Sequence, residues 1–448
     1  LAVRSNSSDA VAVDDGGLSV RTLFQRELIM LLSKTRLNLF VVGALFTLLV
    51  GETLLLRSAA SQTIRRVDPS AAGSGNGSSW ENAFTTLQGA ISASGNADEI
   101  WIRGGTYKPT TGSDRSASFD IGTNVTLYGG FAGTEDELEE RDILANPTIL
   151  SGDLNGDDTS GFGNRSDNSY HVVRIANVGN FAILDGLIIR GGNADGTSSS
   201  NQVGGGVLII ETTPTGEIRA VVRELSIIEE CSALGSGGAV GGEAVGLEIR
   251  DALIRGNRAL GGGSPETADG GALSLAYLRA TQSRLEGNMC DGCLGGAVAL
   301  NLGENDESSS LVNVEFIENM ASGEGGAVLA VSAADFVNCL FAGNTAGTDH
   351  QTGPAEGGGL YVKFGATVTN CTIADNLAHN EYVNQIISLG VADRVCAHRE
   401  LLRLRVLPEH SAGLRDPRRR PSPARSHLRR SFLGQLSASH DLDHGRRR

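Results

Sequence analysis

Two acidic and cysteine-bearing stretches of this 448-residue chain have spacings that could support chemistry. Asp153-x-Asn155-x-Asp157 places an oxygen-bearing side chain at every second position, which is how a calcium loop begins. The match then breaks: the usual glycine is replaced by Asp158, and the acid expected at the twelfth position is Asn164. Asp153, Asn155 and Asp157 therefore stand as calcium candidates beside a plainer reading, a solvated Asp/Asn/Gly turn. No other cofactor is expected, and no catalytic residue can be assigned. Cys290-x-x-Cys293 has no second such pair and no nearby histidine, which argues against zinc and leaves a local disulfide in an oxidising compartment open. The run Glu135, Asp136, Glu137, Glu139 and Glu140 reads as a solvated loop face.

Composition limits the partners. The chain has 37 basic and 52 acidic side chains and a formal net charge of -15, so phosphate backbones and anionic lipid are poor partners. At 40% hydrophobic it can bury a core, and its 60 glycines with only 5% aromatics point to repeats rather than separate globular domains. Charge is unevenly spread. From Tyr382 to Arg448 there are 14 arginines, no lysine and 6 acids, so residues 1–381 hold 46 acids against 23 bases.

The elements that would position any site are repeats. Gly237-Gly238-Ala239-Val240, Gly270-Gly271-Ala272-Leu273, Gly295-Gly296-Ala297-Val298 and Gly325-Gly326-Ala327-Val328 recur, with looser copies starting at Gly204 and Gly357. The starts are 33, 33, 25, 30 and 32 residues apart, irregular enough to imply a solenoid whose loops vary in length. After each block, alternate positions are mostly apolar, as in Leu273 and Leu275 or Val298 and Leu300, the period of a strand with one face buried. A second signal ends in asparagine: Ile254-x-x-Asn257, Leu285-x-x-Asn288, Phe316-x-x-Asn319, Phe341-x-x-Asn344 and Ile373-x-x-Asn376, with a copy at Ile227 ending in Glu230. Stacking coils about 4.8 Å apart would align these residues in interior ladders. In this reading both glycines of a pair allow a corner at positive φ, and asparagine tolerates the left-handed region while its amide bonds the asparagine of the next coil. Cys339 and Cys371 share a repeat position, five residues before Asn344 and Asn376, so both should face inward on neighbouring coils. A disulfide between them and a small apolar ladder position are both open.

The expected architecture is all-β: three-sided coils of parallel strands over residues 99–380, preceded by an N-terminal cap over 61–98. In the cap, Ser78-x-x-Glu81 fits a capping box, and Trp80, Ala83, Phe84, Leu87 and Ile91 fall on one face of a short helix that would plug the open end. Ahead of it, Met30, the basic Lys34 and Arg36, the apolar run Leu37–Val50 and Ser58-Ala59-Ala60 read as a signal peptide over residues 30–60, with 1–29 as a mis-called leader. Residues 381–448, rich in arginine and lacking the next glycine block, read as a tail outside the evolved fold, the product of a shifted reading frame.

The Gly-Gly-Ala-aliphatic blocks and the Phe-x-x-Asn signal resemble the repeats of polymorphic outer membrane proteins. Gly77-Ser78-Ser79-Trp80, Glu99-Ile100-Trp101-Ile102 and Leu127-Tyr128-Gly129-Gly130-Phe131 are similar to the opening coils of bacterial right-handed β-helix proteins of the pectin-lyase-like superfamily. The resemblance covers roughly residues 67–377. It implies a right-handed parallel β-helix and an extracellular or outer-membrane protein that acts as a structural or adhesin-like surface element. Its partners would be carbohydrate or another cell surface, with no nucleic acid, no membrane span in the mature protein and a monomeric state. The alternative it implies is a polysaccharide lyase or glycoside hydrolase. A lyase would need an arginine or lysine base, and the repeats contain only Lys108 and Lys363 with no arginine in a recognisable acid-rich motif. Polar loops of unequal length, such as Gly191–Gln202, Gly261–Asp269 and Gly347–Glu356, suit a contact role.

Overall fold

The computed structural model describes residues 62–378, apart from 123, 177–180, 211–217, 243–244, 262–269, 302–307, 348–355 and 364. The expected leader and signal peptide (residues 1–60), the Arg-rich tail and most of the loops Gly261–Asp269 and Gly347–Glu356 lie outside the described residues. Among the described residues no helix is long and apolar enough to cross a membrane.

The chain winds into four sheets of 10, 7, 8 and 9 strands, each made of one strand per coil. The pairings between these strands are parallel and join segments from successive coils, as in Val207↔Val240, Val240↔Leu273, Leu273↔Val298, Val298↔Val328 and Val328↔Leu360. This is a parallel β-helix, and it fits the right-handed form. Coils are four-sided rather than three-sided: between the 9-stranded and 8-stranded sheets lies a sheet of two-residue strands such as Ser232–Ala233 and Met320–Ala321. The fold also begins earlier than expected, because Ile64–Val67 already pairs in parallel with Glu99–Ile102.

Alternation along each strand fills one continuous apolar core. Phe119, Phe316, Phe336 and Phe341 are fully buried in it, together with Cys339 and Cys371. Phe316 and Phe341 stack at 4.8 Å between ring centroids, and Phe336 meets Phe341 edge-on at 5.8 Å. Burying each such ring contributes roughly 1.5–3 kcal/mol.

The asparagines form the expected ladder. Asn257 Nδ2 donates to Asn288 Oδ1 at 3.1 Å, Asn288 to Asn319 and Asn319 to Asn344 at 3.0 Å, and Asn344 to Asn376 at 2.8 Å. Each amide also donates to a carbonyl of the preceding coil, such as Leu285 O from Asn319 at 2.9 Å. Two details differ from the sequence reading. The left-handed residue at this corner is the one before the asparagine, Gly256, Gly287, Glu318, Gly343 or Asp375. And the first rung is Cys231, whose N–H donates to Asn257 Oδ1 at 3.0 Å, because Ile228 rather than Ile227 pairs with Ile254. Glu230 is the left-handed residue of that coil, at φ 51°.

The glycine pairs divide their work. Gly325 has φ 69°, which side chains rarely adopt. Gly326 is needed for closeness: a Cβ there would lie 2.0 Å from the carbonyl oxygen of Gly358 on the next coil.

At the N-terminal end the helix α1 spans Leu87–Ala93, with Thr86 as its N-cap accepting from Gly89 N–H at 3.2 Å. The proposed start at Ser78 and Glu81 is not helical. Arg66 N–H bonds Gly77 O and Phe84 N–H bonds Arg66 O, which holds 77–84 along the first strand. Trp80 instead packs against Phe131 and donates through Nε1 to Glu135 O at 2.8 Å. Leu87 and Ala90 join the core, with Phe84 and Ile91 packed on it, so the C-terminal half of the expected apolar face does cap the coils.

Glu135 corrects the solvated-loop reading. It is 6% exposed, and its carboxylate accepts the N–H groups of Ala132, Gly133 and Thr134. Burial acts to raise its pKa, but these backbone hydrogen bonds outweigh it and the net shift is downward.

Candidate functional site: a charged cleft across four coils

The 9-stranded sheet presents two outward columns of side chains. In the paired strands Ile227–Glu229, Leu253–Arg255, Arg284–Glu286 and Glu315–Ile317, the middle residues Ile228, Ile254, Leu285 and Phe316 point inward and are fully buried. Period-two alternation therefore sends their neighbours outward. One column runs Glu229, Arg255, Glu286, Ile317; the other ends in Arg284 and Glu315.

Opposite charges interlock within and across coils. Arg255 contacts Glu229 at 2.7 Å, and Arg284 contacts Glu286 at 2.7 Å and Glu315 at 3.8 Å. The Arg284 Nε–H makes no hydrogen bond, so its contact with Glu286 is an ion pair of poor direction. The side chain of Glu229 is only 4% exposed, and the buried carboxylate is matched by Arg255. Beside these columns runs the corner of left-handed residues Glu230, Gly256, Gly287 and Glu318. The first column, Arg284 and this corner line a cleft of about 450 Å³. Four glutamates and two arginines face it, leaving a formal excess of two negative charges.

Such a surface can hydrogen-bond a polar chain at a fixed repeat. It is poorly arranged for proton transfer, because the buried Glu229 and, two coils on, Glu286 already have guanidinium groups on them. These residues were not singled out in the sequence. A signal existed for one column: Glu229, Arg255, Glu286 and Ile317 occupy the first variable position of the apolar-x-x-Asn motif and of its copy ending in Cys231, visible once the repeats are written above one another.

A second cluster lies on the outer face near the end of the described coils. Gly295 N–H bonds Glu324 O and Gly325 N–H bonds Glu356 O, so Glu324 and Glu356 occupy one column on adjacent coils. Burial raises the pKa of Glu324, Glu356 adds to the rise, and Lys363, 3.8 Å away, opposes it. Tyr361, packed with Leu294 and Leu329, is pushed up to about 12 by burial and by the same two glutamates.

The acidic loop is partly assembled. Asp153, Asp157 and Asp167 each bring a carboxylate oxygen within 4.8 Å of the others. Asn155 joins only through its backbone N–H, which donates to Asp167 Oδ2 at 2.9 Å. Asp167, twelve residues on, was not anticipated. Asp153 also accepts the N–H groups of Gly156, Asp157 and Asp158, which is the turn of the plainer reading. Cys290 and Cys293 form a disulfide, while Cys231, Cys339 and Cys371 are buried thiols.

No family model and no curated protein matches the chain. Among solved structures it is similar to pectate lyase Pel9A, at 12% identity and a TM-score of 0.29, over 70% of this chain and 79% of that one. At that level the likeness carries no argument about activity.

Proposed function

We propose that the protein is an exported surface or secreted β-helix protein that binds a carbohydrate polymer along the charged cleft. The observation that carries this reading is the pair of outward columns from Glu229 to Ile317, which present paired charges on a rigid backbone at the strand spacing. A polymer of hydroxylated units can exchange hydrogen bonds with such a row, and the parallel ladder fixes the row's geometry in advance. The excess of glutamate in the cleft and the net charge of -15 favour neutral or amino-sugar polymers over polyuronates. The Cys290–Cys293 disulfide supports an oxidising compartment and hence export.

The test is a panel of neutral, basic and acidic polysaccharides, scored for binding and for release of reducing ends or unsaturated uronate. Binding to a neutral or basic polymer without sustained release is expected. Arg284→Ala should weaken it about tenfold, the effect of losing one hydrogen bond from a charged group. Arg284 is suitable because it is partly exposed and its removal strands no fully buried partner.

A second reading, a polysaccharide-acting enzyme, is favoured by one observation: the raised pKa of Glu324 beside Glu356 is what a general acid requires. Sustained release that Glu324→Gln abolishes would establish it in place of the binding reading.

A calcium ion shared by Asp153, Asp157 and Asp167 belongs to the same proposal, since three clustered carboxylates repel one another until a cation offsets them. Millimolar calcium should raise the melting midpoint of the wild type and leave Asp167→Asn unmoved. No rise, or an equal rise in both proteins, would count against it.

A further inference from the structure

We propose that Cys339 and Cys371 close into a disulfide that staples the coil containing Thr372–Ala374 to the coil before it when the chain folds in an oxidising compartment. The two residues are consecutive members of one column at the corner before the 9-stranded sheet. Leu340 N–H bonds Val314 O and Thr372 N–H bonds Cys339 O, which places Val314, Cys339 and Cys371 one above another. Leu340 pairs with Thr372 in the adjoining strands, so the cysteine Cα atoms are spaced by one coil, about 4.8 Å. That lies inside the window a disulfide accepts.

The Cys371 sulfur is already in contact with the opposing residue. Cys371 Sγ accepts the backbone N–H of Cys339 at 3.3 Å. Cys339 Sγ lies 3.3 Å from Leu311 O and 3.5 Å from Val337 O, so bridging gives up only weak S–H contacts. The thiols also bias one another. The hydrogen bond shared with Cys371 pushes the Cys339 thiol up, and the same bond lowers Cys371. In the folded coil Cys371 is therefore the thiol that ionises more readily.

The oxidant is a disulfide carrier such as oxidised glutathione. The thiolate of one cysteine displaces one carrier thiolate to form a mixed disulfide. The other cysteine then attacks that cysteine's sulfur, forming the bond and expelling the second carrier fragment. Two protons leave the cysteines and two electrons reduce the carrier. Both side chains are nearly excluded from solvent in the folded coil, at 2% and 5% exposure, so exchange occurs during folding or when the coil opens.

Trypsin provides a direct test. It separates the cysteines, because Lys363 lies between them: Leu285–Lys363 carries Cys290, Cys293 and Cys339, and Phe364–Arg394 carries only Cys371. The full chain, folded with a glutathione redox couple, is alkylated and digested without reductant. The expected product is one mass joining the two peptides, with Cys290 and Cys293 still unalkylated. It should separate on reduction and be missing from Cys339→Ser, a change the column tolerates because Ser283 occupies it in an earlier coil. Separate peptides with Cys339 and Cys371 both alkylated, while the Cys290–Cys293 bridge is intact in the same digest, would overturn the proposal. A link that persists in Cys339→Ser would overturn it equally.

Discussion

Asn319→Ala is expected to destabilise the β-helix by about 3–6 kcal/mol, read as a fall in the urea midpoint. Asn319 Oδ1 accepts from the backbone N–H and the side-chain Nδ2 of Asn288 at 3.0 Å each. Its Nδ2 donates to Leu285 O at 2.9 Å and to Asn344 Oδ1 at 3.0 Å. Alanine leaves these partners inside a corner where Asn319 is 1% exposed. Each unpaired buried group costs roughly 1–3 kcal/mol, and a chain of polarised amides loses more than its separate bonds suggest. Because each coil touches only its neighbours, the loss should also split the solenoid. Amide exchange should accelerate most in the coils around Asn288 and Asn344. A change under about 1 kcal/mol would show that the ladder is incidental to stability.

Gly326→Ala should be of similar severity for a different reason. The added Cβ would lie 2.0 Å from Gly358 O and 2.6 Å from the carbonyl carbon of Thr345. Both neighbours are backbone, so no side chain can swing aside, and relief requires the coils to part. Overpacking of this kind costs about 1–3 kcal/mol where the structure can shift and more where it cannot. Parting the coils would also break Gly326 N–H to Gly357 O and Ala327 N–H to Gly359 O, bonds of 2.9 and 3.0 Å. The expected result is a protein whose amides after residue 326 exchange quickly while the first coils stay protected. Uniform protection equal to the wild type would contradict the close approach inferred for the second glycine.

The ladders were legible because they depend on spacing within one coil. Five asparagines each stand three residues after an aliphatic or aromatic side chain, and Cys339 and Cys371 keep a constant distance from their asparagines. Dihedral angles were less legible. A Gly-Gly pair does not reveal which glycine turns and which makes room, and the left-handed corner at Glu318 or Asp375 carries no glycine to mark it. The two-residue strands are too short to show any period, so the fourth side of the coil was missed. Two adjacent isoleucines, Ile227 and Ile228, left the register of one coil ambiguous, and the wrong choice hid Cys231 at the head of the ladder. At the cap, a capping-box pattern at Ser78 lost to the hydrogen bonds between Arg66, Gly77 and Phe84. The cleft was hidden because its charges converge from strands 26 and 31 residues apart, as from Glu229 to Arg255 and on to Glu286. Their alignment depends on loop lengths that only the folded coil makes explicit.

The proposed role of the cleft is tested most directly by the dissociation constant of a bound glycan measured against its chain length. The lining from Glu229 to Ile317 crosses four coils, or about 14 Å at the strand spacing. Affinity should climb with each added unit until the oligomer covers that span and then level off, with Arg284→Ala lowering the plateau about tenfold. An affinity that is independent of length and unchanged by Arg284→Ala would contradict the assignment of this cleft as the binding surface.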